Sequence, residues 1–334
     1  MFLAGFHSMT SIPRTALLFA LSTPMIVLAQ DAAPDAAALA RANQAAFTGD
    51  LHDETQAAAR LRAQVLLDRA RFGTGEIDGR WGSNTERAIA AFQRSRNLKA
   101  TGAMDDATWR ALTADASPAL IQYRLTAQDV AGPYTAVPDD MMAKAALPQL
   151  GYASLAESLG ERFHASPALL AALNPGADLT REGTTLWVPN VQVDALPKAA
   201  SVIVDRSDAS VMLRDAQGRV YARFPASTGS EHDPLPIGRW TIKGVARDPH
   251  FQYNPKLFWD ADPGHAKAKI APGPNNPVGV VWVDLSKDHY GIHGTPEPGK
   301  IGKTESHGCI RLTNWDASAL ADAVAPGTPA VLQQ

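Results

Sequence analysis

The spacing of apolar side chains changes once along this chain, from a helical repeat before residue 200 to a two-residue alternation after it. Leu61, Val65 and Leu66 recur at helical intervals and predict a helix from Glu54 onward, which the four glycines of "GTGEIDGRWGSN" bring to an end. Ala88, Ile89 and Phe92 line a second helix starting near Asn84. Asp105 is placed to cap a third, with Trp109 and Leu112 about one turn apart. Residues 54–113 therefore read as a small three-helix unit with Trp81, Phe92 and Trp109 in its core.

Residues 114–148 are polar and punctuated by proline, with short strands around "IQYRLT", and read as a connector. Residues 149–194 run helix, turn, helix, loop, strand: Leu155 and Leu159 share a face, Ser166 caps the next helix, and Asn174-Pro175-Gly176 stops it. After "ALPKAAS" the segments "SVIVD", "VMLRD", "RVYARFPAS", "GRWTIKGVAR", "VGVVWVDL" and "YGIHG" are rich in Val, Ile, Tyr and Trp and predict strands, so residues 200–333 form a mainly β domain. Within it, Asp248 to Asn275 is a 28-residue stretch with five prolines and no period, expected to be a lid or binding loop. The predicted fold class is multidomain: a small all-α N-terminal domain, a small α+β unit and a mainly β C-terminal domain.

Composition fits this picture. A chain of 334 residues with 45% apolar side chains can fill several small cores. A formal charge of −3 without a basic run excludes the electrostatic footprint of a nucleic-acid binder. Arg14 followed by "TALLFALSTPMIVLA", with Val27-Leu28-Ala29 at signal-peptidase spacing, makes residues 1–29 an expected signal peptide and the chain an exported, periplasmic or cell-envelope protein. Residues 30–53, rich in Ala, read as a linker.

An exported protein usually pairs its cysteines, yet this chain has one, Cys309. It is either inert packing or a working thiol. A thiol attacks as its thiolate, which at neutral pH needs a base or a cation nearby. His293 ends a predicted strand and His307 lies two residues before Cys309; spacing alone does not choose between them. Gly294 and Gly308 allow close backbone approach, and N–H groups around Cys309 are placed to stabilise an oxyanion. Arg311 suits a bidentate bond to a substrate carboxylate or an ordinary ion pair. Ser306 reads as a turn residue, and Thr313 with Asp316 has capping-box spacing. A zinc site drawn from His289, His293, His307 and Cys309 matches no compact ligand spacing and would consume the nucleophile.

The span "IHGTPEPGKIGKTESHGCIRLTNWDA", with upstream "DPLPIGRWTI", resembles the YkuD-type L,D-transpeptidase family. "IDGRWGSNTERAIAAFQRSRNLKATGAMDDATW" resembles the peptidoglycan-binding domain type 1, and residues 149–194 are similar to a LysM module that lacks its first strand. The first resemblance implies Cys309 as nucleophile, His293 as its base, Gly294 as the carbonyl that orients the imidazole, and His307, Gly308 and Ser306 lining the site and oxyanion pocket. It implies no metal or organic cofactor. The implied substrates are tetrapeptide stems of peptidoglycan, joined through a thioester to an amine of another stem, a lipoprotein or an outer-membrane protein, or released by water as in a carboxypeptidase. A non-catalytic wall-binding protein is the reading from a different class.

Overall fold

The computed structural model describes residues 41–306 and 308–334; the expected signal segment, the first part of the Ala-rich stretch and His307 lie outside the described residues. Three helices, α1 (Ala57–Arg69), α2 (Ser83–Ser95) and α3 (Asp106–Leu112), pack around Leu66, Leu67, Phe92 and Leu112, with Trp81 and Trp109 at the rim. The Asp105 carboxylate caps α3 by accepting from the Thr108 N–H at 2.7 Å. Helix α1 is buried on two sides, because Leu61 and Val65 join a second cluster with Ile77, Leu120 and Val191.

Two boundaries differ from the sequence reading. Residues 41–53 are not a linker: Ala42 and Leu51 are buried, and the Asn43 amide exchanges two hydrogen bonds with the Leu120 backbone, at 3.0 and 2.8 Å. Alanine-rich composition conceals this, since small side chains pack closely without an apolar stripe. The connector, in turn, contains a strand that belongs to the middle unit. β1 (Leu120–Arg124) pairs antiparallel with β2 (Thr185–Pro189), enclosing α4 (Ala127–Ala131), α5 (Met141–Ala145), α6 (Leu155–Arg162) and α7 (Pro167–Leu173). The middle unit thus begins near residue 120 rather than 149. Its core holds Leu125, Leu155, Leu159, Phe163, Leu186 and Val188.

Beyond it lie β3 (Ser201–Asp205), β4 (Ser210–Arg214), β5 (Val220–Pro225), β6 (Gly238–Arg247), β7 (Phe251–Tyr253), β8 (Ala268–Ile270), β9 (Val281–Leu285), β10 (Gly291–His293), β11 (Ile310–Arg311), α8 (Asn314–Ala323) and β12 (Pro329–Gln333). Among the described residues, eight of these strands form one sheet in the order β11-β10-β9-β6-β12-β3-β4-β5. Neighbours run antiparallel except for the parallel pairs β12–β3 and β10–β11. Val202, Val204, Leu213, Val283, Ile292, Ile310 and Leu332 face a core shared with Ala317 and Leu320 of α8. The stretch from Asp248 to Asn275 is not structureless. It holds the β7–β8 hairpin, whose Tyr253 and Ile270 pack with Leu150 and with Met141 of α5. Leu150 donates to the Pro272 carbonyl (2.9 Å) and accepts from the Asn275 N–H (3.0 Å). His265 links Tyr253 (2.9 Å) to Asp140 (2.7 Å).

The described residues belong to one compact unit. Phe72 bridges Arg223 on edge strand β5, and the wholly buried Arg223 guanidinium donates to the Asp208 carboxylate at 2.7 Å, so the helical unit covers a sheet edge that would otherwise be open. Ile77 bridges Ala165 in the middle unit. Asn84 of α2 donates at 2.9 Å to the carbonyl of Ile301, in the loop between β10 and β11. Asn84→Ala removes that anchor from a buried carbonyl, at a cost of about 1–3 kcal/mol. Faster tryptic cleavage after Lys300 or Lys303 is expected in this variant, at unchanged circular dichroism; an unaltered cleavage rate would show that Asn84 does not hold the loop.

Candidate active site

The short pairing of β10 with β11 builds the site. Ile292 is opposite Ile310 and His293 opposite Arg311. Both isoleucines are wholly buried in the core. Because strand side chains alternate, His293 and Arg311 project from the other face of the sheet. Cys309 stands just before β11, and its Sγ lies 3.8 Å from the His289 carbonyl oxygen. The two strands are held to each other and from outside. The Leu312 N–H donates to the His293 carbonyl at 2.8 Å, and Arg311 exchanges backbone bonds with Ser227 at 2.9 and 3.0 Å.

His293 is 5% exposed. Its Nδ1 lies 2.7 Å from the Gly294 carbonyl oxygen, an acceptor only, so Nδ1 carries the proton and Nε2 keeps its lone pair. Trp282 stacks on the ring with centroids 5.4 Å apart and planes 13° from parallel, leaving the imidazole little freedom to rotate. Burial pulls the His293 pKa down to about 4, with Arg311 adding to the fall and the Gly294 bond opposing it. The ring is therefore neutral at pH 7 and able to accept a proton.

Cys309 is half-buried. Burial pushes its thiol pKa up, while the Gly291 backbone N–H and the Arg311 charge favour the thiolate. Thiol and imidazole are thus each uncharged at rest. Arg311 is half-buried; burial lowers its pKa, countered by Cys309, Glu297 and Asp260. Ser306 donates its hydroxyl to the Cys309 carbonyl at 2.5 Å, fixing the turn that delivers the cysteine. Gly308 has a φ of +92°, and a β-carbon there would sit 3.0 Å from the Tyr290 ring, so only glycine suits that turn. Thr313 caps α8 by accepting from the Asp316 N–H at 3.2 Å. Asp316 itself is buried, which raises its pKa to about 7.

Of the residues picked out by sequence, Cys309, His293, Gly294, Gly308, Ser306 and Arg311 converge on this one sheet edge. Trp282, Tyr290, Ser227 and Asn314 escaped sequence reading. Trp282 and Tyr290 stand beside or within predicted strands, where an aromatic ordinarily signals packing, while Ser227 and Asn314 contact the site only through the fold.

The thiol's resting state sets an expected pH dependence. Alkylation of Cys309 by iodoacetamide, read by intact mass, is slow at pH 7 and keeps climbing beyond the ordinary thiol value, because burial disfavours the thiolate. Arg311→Gln slows it further by removing the cation that favours the anion. A plateau reached below pH 7 would contradict this electrostatic picture.

Comparison with known proteins finds two matching domain families and several relatives. The YkuD model, described as the L,D-transpeptidase catalytic domain, matches residues 199–332, and a peptidoglycan binding domain model matches residues 56–112. A Bacillus licheniformis protein carrying the L,D-transpeptidase YkuD name is 30% identical over 175 residues, covering 52% of this chain and 89% of that one. An Escherichia coli K12 protein named as the L,D-transpeptidase YbiS is 29% identical over 171 residues, covering 46% of this chain and 52% of its own. A solved L,D-transpeptidase from Xylanimonas cellulosilytica aligns with 86% of this chain and 96% of that chain, at 15% identity and a TM-score of 0.33. On the catalytic-domain match and the near-complete coverage of the Bacillus relative, the chain belongs to the YkuD family of L,D-transpeptidases.

Proposed function

We propose that Cys309 is the nucleophile and His293 the base of a transpeptidase acting on tetrapeptide stems of peptidoglycan. The observation that carries this reading is the β10–β11 register, which aligns His293 with Arg311 two residues from Cys309 while the Gly294 carbonyl occupies Nδ1. In the acylation step the thiol sulfur attacks the carbonyl carbon of the third stem residue. The thiol proton passes to Nε2 of His293 and from there to the nitrogen of the departing D-alanine, leaving a thioester on Cys309. An acceptor amine then attacks the thioester. Its proton is taken by His293, and the released thiolate recovers a proton from the imidazolium.

A neutral resting pair suits this sequence. With His293 at about 4 and the thiol pushed up, little thiolate stands ready in water. Proton transfer accompanies attack on a bound carbonyl, which protects the only cysteine from adventitious oxidation. Developing negative charge on the carbonyl oxygen would be met by backbone N–H groups of the Gly308–Cys309 turn. Arg311 serves to bind a stem carboxylate through its fork of donors. We place the enzyme in the cell envelope, where its substrate resides, and assign the acceptor as the side-chain amine of a second stem, giving a 3→3 cross-link. A lipoprotein or outer-membrane protein amine would instead anchor that protein to the wall, and water would give a carboxypeptidase.

Purified tetrapeptide muropeptides incubated with the enzyme are expected to yield a cross-linked dimer together with free D-alanine by mass spectrometry, and Cys309→Ala to yield neither. Tripeptide alone, with a second stem present, would make the enzyme a hydrolase. No D-alanine release by folded wild-type enzyme would overturn the nucleophile assignment.

A further inference from the structure

The carbonyl that orients His293 belongs to Gly294, and the backbone there is pressed against a side chain from a different element. A β-carbon on Gly294 would sit 2.2 Å from Asn314 Oδ1, and one on Gly279 would sit 2.0 Å from the same atom and 2.7 Å from the Gly294 carbonyl carbon. Gly279 has a φ of +62°, a second reason for glycine there. Asn314, the first residue of α8 and 3% exposed, therefore forms the back wall of the His293–Gly294 turn.

An asparagine amide has two ends, and the hydrogen-bond network decides which faces which way. Oδ1 accepts from the Val280 N–H at 3.2 Å on the side of the glycine turn. Nδ2 points the other way, donating to the Pro274 carbonyl at 3.2 Å and to Glu161 Oε1 at 3.0 Å. Glu161 belongs to α6 of the middle unit, outside the catalytic domain. A flipped amide would set its NH2 against the Val280 N–H and its oxygen against the Pro274 carbonyl and, when Glu161 is ionised, its carboxylate. Burial raises Glu161 to about 7, opposed by the Asn314 bond and by His164, with Glu157 and Glu76 also facing it. An acceptor oxygen is present on Glu161 in either protonation state.

We infer that Asn314 and Glu161 are positioning residues for the transpeptidase reaction: the middle unit, through the Glu161 carboxyl, locks the Asn314 amide, and Asn314 holds the Gly294 carbonyl where it fixes the His293 ring. The middle unit is on this account a working part of the catalytic centre as well as a spacer. The inference rests on the assignment of Cys309 and His293 above.

Its test compares Asn314→Ala, Glu161→Leu and Glu161→Gln in the full chain, each normalised by active-site titration with a carbapenem that acylates Cys309. Asn314→Ala and Glu161→Leu are expected to lower kcat at least tenfold with KM within twofold. They are also expected to move the acid limb of the kcat/KM profile to higher pH, since a loosened turn admits water to His293 and relieves the burial that keeps it neutral. Glu161→Gln retains an acceptor oxygen and is expected to stay within threefold of wild type with its acid limb in place. Wild-type kcat and an unmoved limb in both Asn314→Ala and Glu161→Leu would overturn the inference. So would equal losses in Glu161→Gln and Glu161→Leu, or a deficit that vanishes on titration in every variant that folds. A wild-type enzyme that forms no carbapenem adduct would instead bring down the nucleophile assignment itself.

Discussion

A two-residue parallel ladder between β10 and β11 is the constraint on which the site depends. So short a pairing cannot hold itself, since parallel strands far apart in sequence repay their loop closure only through many contacts. It is held by its surroundings: β9 on one side, the Ser227–Arg311 backbone pair on the other, and Ile292 with Ile310 anchored in the core. With those fixed, strand alternation alone sends His293 and Arg311 to a common face and leaves Cys309 at their edge. The chemistry then follows from two local facts. A carbonyl occupies one imidazole nitrogen, and burial disfavours charge on both ring and thiol.

The peptidoglycan-binding helices and the middle unit belong to the same structure as the catalytic sheet. The helical unit covers edge strand β5 and grips the loop between the two site strands through Asn84. The middle unit clamps the β7–β8 hairpin through Leu150 and reaches the back of the histidine turn through Glu161. At the junction Asp68 meets His164 at 3.0 Å, and the His164 ring stacks on Trp315 of α8 with centroids 4.9 Å apart. Units that in sequence look like separable binding modules thus share polar contacts buried between them.

Much of this was legible beforehand, for reasons that can be named. Strands β3 to β6, β9 and β10 alternate or run apolar for long enough to be seen, and the three helices carry caps and glycine stops. The lone cysteine and its glycine-flanked neighbours marked the candidate site. Strand β11 was illegible because two residues carry no period, and β12 because Ala330 and Leu332 at the chain's end offer only two buried positions. β1 was visible as a strand but not as part of the middle unit, since its partner β2 lies beyond four helices. The hairpin in the proline-rich stretch owes its existence to packing against Leu150 and Met141, which no local signal encodes. Asn314 and Glu161 were hidden for the same reason: they meet only across units, 153 positions apart.

The most direct test of the central claim is the protonation state of one ring. Nitrogen-15 NMR of histidine-labelled protein, with His293→Gln to assign the resonance, reads both nitrogens of His293 across pH 5 to 8. The account requires a neutral ring throughout, protonated at Nδ1 with an unprotonated Nε2. An imidazolium at pH 7, or a neutral ring protonated at Nε2, would contradict it.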